Sequence, residues 1–345
     1  MIGYYIHHHG RGHLHRATAI GDALGMPVTG LSSLPRPAEW AGDWVELPLD
    51  VPGAPASAGF DATANGRLHW VPVGVDGLRT RMAAISAWIA EARPDALVAD
   101  VSVEVALLAR LHGVPVVTVA LPGVRDDPAH ALGFDVSTAI IAAWPAEARG
   151  MVTGLSASAA ARLHPVGAIS RFPGAGAGAV AAPDAVARAS RDATRRALVL
   201  AGAGGDGFTA DAVAAARAAT PGWEIVHLGG SSGTWVADPR EALREADVVV
   251  THAGQNAIAD VAAARRPAII VPQSRPHDEQ AATGRVLAAG DWPAIVVAEM
   301  PAGGWGELLQ ATAALDGDGW RAWNDGGGAA RAADVIARVA AGSRA

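Results

Sequence analysis

His252, Gly254, Asn256 and Asp260 fall within one nine-residue stretch, and their types suit an anionic, hydroxyl-bearing ligand. A glycine turn, Ala253–Gly254, leads into a helix expected to start near Asn256, with Gln255 inside the turn. Unpaired N–H groups and the helix dipole at such a tip make an anion site. Asp260 follows Asn256 by four residues, on the same helical face one turn later. A carboxylate there can accept hydrogen bonds from two vicinal ribose hydroxyls while a phosphate sits at the helix tip. The apolar run Ala268–Val271 comes next, then a polar stretch with His277, Asp278, Glu279 and Gln280, expected as a loop. A strand, turn and helix carrying a glycine and an aspartate is common in α/β proteins. The specific feature is the ordered set His252, Gly254, Asn256, Asp260, Pro267, Pro272 and Gln280.

Two glycine loops add to this. The first, His9–Gly10–Arg11–Gly12–His13–Leu14–His15–Arg16, follows an apolar segment at Ile2–His8. It departs from G-x-G-x-x-G, which argues against a nicotinamide-binding turn. The second lies within Leu200–Gly207 and contains Gly202, Gly204 and Gly205. Glycines after a strand let the backbone approach a ligand closely. His can act as a general base near neutral pH, so His13 is the first candidate for proton removal. His9 and Asp100 are the alternatives; Asp100 ends the apolar run ALVAD. A plainer role for Asp100 is capping a helix that begins near Val103. Glu104 and His130 are further candidates on the same side. His7, His8, His9, His13 and His15 crowd one region without a carboxylate, and neighbouring strand positions point to opposite faces, so no metal site is expected there.

These residues need a scaffold that presents loop ends to one another. Short apolar runs at Ala96–Ala99, Val114–Val119, Ala197–Leu200, Glu224–Leu228, Val248–Thr251 and Ala268–Val271 read as strands. Ala-rich helical stretches lie between them, including Leu14–Leu24, Arg79–Glu91, Val103–Leu111, Asp211–Ala218 and Asn256–Ala263. Such alternation indicates parallel sheets covered on both faces. A stretch of Gly, Ala and Pro at Phe172–Pro183 reads as a linker, and a new strand and glycine turn start after it. The expected division is a first Rossmann-like domain over 1–170, a linker over 171–190, a second Rossmann-like domain over 191–325, and a C-terminal helix and tail over 326–345. Segment Pro35–Trp70, rich in Pro, Gly and Trp, is expected as irregular loops of the first domain.

The stretch Thr251–Gln280 resembles the donor-binding signature of GT-B glycosyltransferases, above all those that use UDP-sugars. His252, Gly254 and Asn256 match the His-x-Gly-x-Asn-x-x-x-Glu pattern of natural-product glucosyltransferases, with Asp260 in the Glu position. The first loop is similar to the Gly-x-Gly-His-x-x-Arg opening of a bacterial group that includes family 28 N-acetylglucosaminyl transferases. The resemblance implies an α/β GT-B fold, two Rossmann-like domains facing each other across a cleft. It implies that His252 and the 254–256 turn hold a diphosphate, Asp260 a ribose, and Glu279 and Gln280 donor-sugar hydroxyls. Gly12, Gly204 and Gly205 would face the donor phosphates. Pro165–Arg171 resembles the family's interdomain segment, which makes Arg171 a phosphate candidate. Trp235 and Val236 stand where relatives hold the base. Three departures stand out: Asp260 is one methylene shorter than Glu, Arg265–Arg266 replaces a glycine-containing step, and Thr283 stands where an Asn is common.

Composition bounds the alternatives. The chain has 345 residues, half of them hydrophobic and 18% charged, which fits two globular domains. A net charge of -7 argues against a general nucleic-acid binder. The sequence contains no cysteine, which excludes disulfides and Cys-ligated zinc, and no lysine, so Arg, His and backbone N–H groups must supply any phosphate clamp. The start lacks signal-peptide features, so a cytoplasmic protein is the expectation, with attachment to the inner membrane face left open. The implied activity is transfer of a sugar from a nucleotide diphosphate, a UDP-sugar first, to an unidentified acceptor hydroxyl. The resemblance implies inversion, and no metal or other cofactor is expected beyond the nucleotide sugar as co-substrate. A nucleotide-sugar epimerase of the same fold and a non-catalytic nucleotide-sugar-binding partner protein remain as alternatives. The oligomeric state is left open.

Overall fold

The computed structural model describes residues 1–8, 10, 12–51, 61–172, 194–202, 207–236 and 238–343. Its first sheet is built from β1 (Ile2–Ile6), β2 (Val28–Ser32), β3 (Trp44–Glu46), β4 (Ala96–Asp100), β5 (Val116–Ala120), β7 (Ala139–Ala142) and β9 (Leu163–Pro165). The spatial order is β3-β2-β1-β4-β5-β7-β9, and every pairing is parallel. Two short strands, β6 (Gly123–Val124) and β8 (Val152–Thr153), pair beside it. The second sheet holds β10 (Arg195–Leu200), β11 (Trp223–Leu228), β12 (Val248–Thr251), β13 (Ala268–Ile270) and β14 (Ala294–Val296) in the order β11-β10-β12-β13-β14, again parallel. The two sheets are separate, and each has the reversal of a doubly wound fold. β1 lies between β2 and β4, and β10 lies between β11 and β12. Crevices at the carboxyl ends of strands beside such reversals are where open α/β sheets bind ligands.

Helices α1 (Gly12–Ala23), α2 (Asp76–Ala92), α3 (Val103–Leu111), α4 (Pro128–Val136) and α5 (Ala157–Ala161) serve the first sheet. Helices α6 (Ala210–Ala219), α7 (Arg240–Glu245), α8 (Gln255–Ala264), α9 (Glu279–Ala289) and α10 (Trp305–Ala313) serve the second. Both sheets are apolar on both faces: Ile2, Tyr4, Ile6, Val98 and Ile141 pack on one side of the first, and Tyr5, Leu97, Ala99 and Val116 on the other. The last helix, α11 (Gly328–Gly342), returns to the first sheet. Its Ala332, Ala333, Val335, Ile336 and Ala340 join the core of Ile2, Tyr4 and Ile20. The chain therefore crosses between the sheets twice.

Several elements differ from the sequence reading. β2, β7, β9 and β14 were not expected, and β3 lies inside the Pro35–Trp70 stretch expected as loop. There Trp40 and Trp44 pack edge to face at 5.3 Å and cover Gly30 of β2, which supplies the order that periodicity did not. β1 stops at Ile6, so His7 and His8 lie beyond the pleat. Their rings stack at 5.0 Å instead of pointing to opposite faces. The polar stretch at 276–280 is not a loop throughout: a short 3-10 turn, Pro276–Asp278, runs straight into α9 at Glu279. The linker beyond Phe172 lies outside the described residues.

Trp320 anchors the region where the chain leaves the second domain. It is fully buried, donates its Nε1–H to the Arg266 carbonyl at 2.8 Å, and meets Trp323 edge to face. Trp320→Ala is expected to cost about 3–5 kcal/mol by cavity formation and to leave that carbonyl unpaired. Urea unfolding followed by circular dichroism would read this as a lower midpoint.

Candidate functional site

His13, Arg16 and Asp100 meet where α1 and β4 reach the first sheet's reversal. Asp100 is the last residue of β4, with no exposed surface, and Arg16 is 2% exposed. Arg16 grips the carboxylate with two bonds, Nε to Oδ2 at 3.1 Å and Nη2 to Oδ1 at 2.6 Å. His13 Nδ1 lies 3.0 Å from Asp100 Oδ1. Burial alone would raise the Asp100 pKa, but the charges of Arg16 and His13 and their hydrogen bonds prevail, holding the group well below the usual carboxylate range. An ionised carboxylate only accepts, so Nδ1 of His13 carries a proton, and in the neutral form of the ring the lone pair lies on Nε2. Arg16 Nη2 lies 3.1 Å from His13 Nδ1, two donors side by side that share Asp100 Oδ1 as their acceptor. Asp100 does not cap α3: Ser102 does, accepting from Val105 N at 3.2 Å. Between them Val101 sits at φ 73°, a left-handed conformation that β-branched residues rarely adopt. Strain of this kind persists where the surroundings over-determine it, and it turns the chain sharply at the end of β4.

The second domain presents its own reversal to this group. Gly254 precedes α8 without any side-chain cap on the helix, so the first N–H groups point outward from the tip. Arg16 Nη1 donates to Gln255 Oε1 at 3.0 Å, and Gln255 Nε2 reaches the Ala143 carbonyl of the first domain at 3.4 Å. Gly12 lies so close to Asn256 that a Cβ would stand 1.8 Å from its Nδ2. The two turns singled out from sequence are thus in contact.

His252 directly follows β12 and is buried. Its Nδ1 faces the Val271 carbonyl at 3.0 Å, its ring stacks on Phe208 at 4.0 Å, and its buried Nε2 makes no hydrogen bond. Burial lowers its pKa; the Val271 carbonyl opposes this, and the Arg275 charge adds to the lowering. His252 is therefore neutral near pH 7, with Nδ1 protonated and a lone pair on Nε2. Arg275, which also donates to Gln273 Oε1 at 3.0 Å, was not singled out from sequence, and Arg16 entered only as the last residue of the first loop's Gly-x-Gly-His-x-x-Arg pattern, with no role assigned. The partners of Arg16, Asp100 and Gln255, lie in distant segments and could not be read locally.

Asp260 is 2% exposed, and both of its oxygens are engaged. Ser170 Oγ donates to Oδ1 at 2.7 Å, and Arg171 donates to Oδ2 from Nε at 2.8 Å and from Nη2 at 2.7 Å. Burial raises its pKa, and Arg171 and Ser170 pull against that. Arg171, expected from sequence as a phosphate contact, is thus paired with the expected ribose carboxylate. Gln280 is 7% exposed and accepts at Oε1 from Gln273 N at 2.9 Å. Glu279 accepts from Arg125 Nη2 of the first domain at 2.7 Å. Trp235 is 60% exposed instead of lying in a core, while the neighbouring Val236 packs against the second domain's core. Glu104 accepts from the backbone N–H groups of His69 and Trp70 at 2.7 and 3.0 Å, a structural role. Gly204, Gly205, His9 and Arg11 lie outside the described residues.

Residues 233–288 match the model of the glycosyltransferase family 28 C-terminal domain. No curated protein matches the chain by sequence. Among solved structures, the glycosyltransferase of kitacinnamycin is similar at 20% identity and TM-score 0.66, with 98% of each chain covered. MurG of Acinetobacter baumannii is similar at 17% identity and TM-score 0.62, covering 98% of this chain and 99% of that one. Phytolacca americana UGT2, complexed with UDP-2-fluoroglucose and pterostilbene, is similar at 14% identity and TM-score 0.61, covering 100% and 99%. The fold is the GT-B fold, and the family match with that fold supports a glycosyltransferase enzyme. Among the described residues, no helix is long and apolar enough to cross a membrane.

Removing one partner of a buried ion pair strands the other charge, at a cost of about 3–5 kcal/mol. Asp100→Ala is expected to destabilise by that order, and the double replacement Arg16→Met with Asp100→Leu to recover most of it, read from denaturant midpoints. Because folding depresses the Asp100 pKa, its contribution is complete above about pH 4, the unfolded value, and is lost as pH falls through the folded value. Acid titration of wild type and the double variant should therefore diverge only below about pH 4.

Proposed function

We propose that the protein transfers a sugar from a nucleoside diphosphate donor, a UDP-sugar first, to an acceptor hydroxyl, with inversion at the anomeric carbon. The observation that carries this reading is the meeting of the His13–Asp100 pair with the uncapped tip of α8. In the proposed step, His13 Nε2 takes the acceptor hydroxyl proton, the oxygen attacks the anomeric carbon, and the bond to the diphosphate oxygen breaks. Asp100 holds the ring in the required tautomer and stabilises the imidazolium that forms. The departing charge meets the α8 N–H groups, His252 Nε2, which can take up a proton and donate, and the Arg275 charge. This scheme requires no metal at the diphosphate. The similar fold of Phytolacca americana UGT2, a protein complexed with UDP-2-fluoroglucose, supports the donor class.

For the ribose, Asp260 would exchange its Ser170 and Arg171 partners for two hydroxyls. Arg171, 30% exposed at its side chain, would then turn to the diphosphate. The acceptor would enter beside the first sheet, where Val101, Val103, Leu121 and Phe134 line a small pocket together with His69, Arg125 and His130.

Two measurements test the reading. His13→Ala should lower single-turnover transfer by about a hundred- to ten-thousandfold with UDP affinity near wild type; transfer at the wild-type rate would make the loop structural. Asp260→Asn keeps the shape and removes the charge, and should weaken UDP binding roughly ten- to a hundredfold by calorimetry. Unchanged affinity would remove Asp260 from the donor site.

A further inference from the structure

His69, Asp127, His130 and His277 bring one ligand atom each within 4.8 Å of the others, at the interface of the two domains. The group shares no residue with the His13–Asp100 pair or the α8 tip. Asp127 caps α4, accepting from His130 N at 3.0 Å. Its Oδ1 lies 3.5 Å from His69 Nε2, and its Oδ2 lies 3.8 Å from His277 Nδ1 and 2.5 Å from His130 Nδ1. The sequence gives little warning of this cluster, because its members are scattered from residue 69 to residue 277.

The protons sort these four residues into two roles. Arg125 Nη1 lies 3.0 Å from His130 Nε2, and a guanidinium can only donate. His130 Nε2 is therefore an acceptor, and its Nδ1–H donates to Asp127. His130 orients the carboxylate and does not offer it a competing lone pair. His69 is different: its Nε2 is buried and makes no hydrogen bond. An orphaned nitrogen 3.5 Å from a carboxylate oxygen calls for a partner between them. His277 is brought in from the second domain at a conformational cost. It sits at φ 58° and Asp278 at φ 54°, two successive left-handed residues that are not glycine. Gly123 permits the approach, since a Cβ there would stand 2.1 Å from the His277 carbonyl oxygen.

We infer that His69 Nε2, Asp127 and His277 Nδ1 hold a divalent transition-metal ion, Zn2+ by the donor set, with His130 as the positioning residue behind the carboxylate. Two imidazoles and one carboxylate make a tetrahedral site with one open position. Metal–ligand bonds of about 2.0–2.1 Å place such atoms roughly 3.4 Å apart; His69 Nε2 lies 3.5 Å from Oδ1 of Asp127 and His277 Nδ1 3.8 Å from Oδ2, so a small rotation of the carboxylate brings one oxygen between the two rings. An ion here joins the α4 cap and the 69 loop of the first domain to the turn just before Glu279. It reinforces the Arg125–Glu279 ion pair as a clip between domains. The assignment rests on this geometry and not on the sugar-transfer reading, and His69 and His130 also line the pocket proposed for the acceptor.

The test is calorimetric titration of EDTA-stripped protein with ZnCl2. One Zn2+ per chain is expected. His69→Gln and His277→Gln, which leave the α4 cap intact, should each weaken it beyond the roughly 10–100-fold typical of an outer partner, and His130→Gln within that range. Melting curves without zinc confirm folding of each variant. Replacing His7, His8 and His15 together by Asn should leave the binding in place. Absence of stoichiometric binding by the wild type, wild-type affinity in both His69→Gln and His277→Gln, or loss of the binding in the triple variant would each overturn the assignment.

Discussion

The Arg16–Asp100 ion pair, 2% and 0% exposed, sits where α1, β4 and α8 converge. A carboxylate so deeply buried is tolerable only when its lone pairs are filled by charged donors, and Arg16 fills both oxygens. Having spent two N–H groups on Asp100, the guanidinium uses its remaining nitrogen to hold Gln255 of the second domain. One side chain thus fixes the end of β4, the carboxylate that sets the tautomer of His13, and the position of the α8 tip. Its planar five-donor fork is what makes the three tasks compatible, and an ammonium would not reproduce that geometry.

Both sheets reverse direction beside their first strand, and the two reversals face each other. This arrangement accounts for the short distances between segments more than two hundred residues apart, such as Gly12 and Asn256. The donor-side residues are held by one another. Asp260 is tied to Ser170 and Arg171, Gln280 to the Gln273 backbone, and Glu279 to Arg125. In the proposed reaction a ligand must compete for these contacts, so donor binding would be coupled to the segment 170–171 that joins the two halves. α11 closes the chain back onto the first sheet and gives the domain pair a second covalent crossing.

Beside this proposed chemistry lies the polar group around Asp127, where three imidazole rings gather with centroids 4.3 to 6.1 Å apart. Two left-handed residues in succession, His277 and Asp278, mark the turn that feeds it. That turn leads directly into Glu279 and Gln280, so whatever holds His277 also sets where α9 begins.

By itself the sequence determined the alternation of strands and helices, because apolar runs bounded by glycine are legible locally. It determined the expected positions of both turns and the order His252, Gly254, Asn256, Asp260. It could not reveal β3, whose order comes from Trp40 packing on Trp44, nor the helical start at Glu279, where two left-handed residues precede the helix. Only the tertiary structure decided who pairs with whom. That Asp100 serves His13 and Arg16 while Ser102 caps α3, and that Arg171 meets Asp260, depend on which strand ends the topology brings together. Charges separated by tens to hundreds of residues leave no periodic trace in the chain. Their partners are chosen by burial, which makes every unpaired charge costly and so selects the one arrangement that satisfies them.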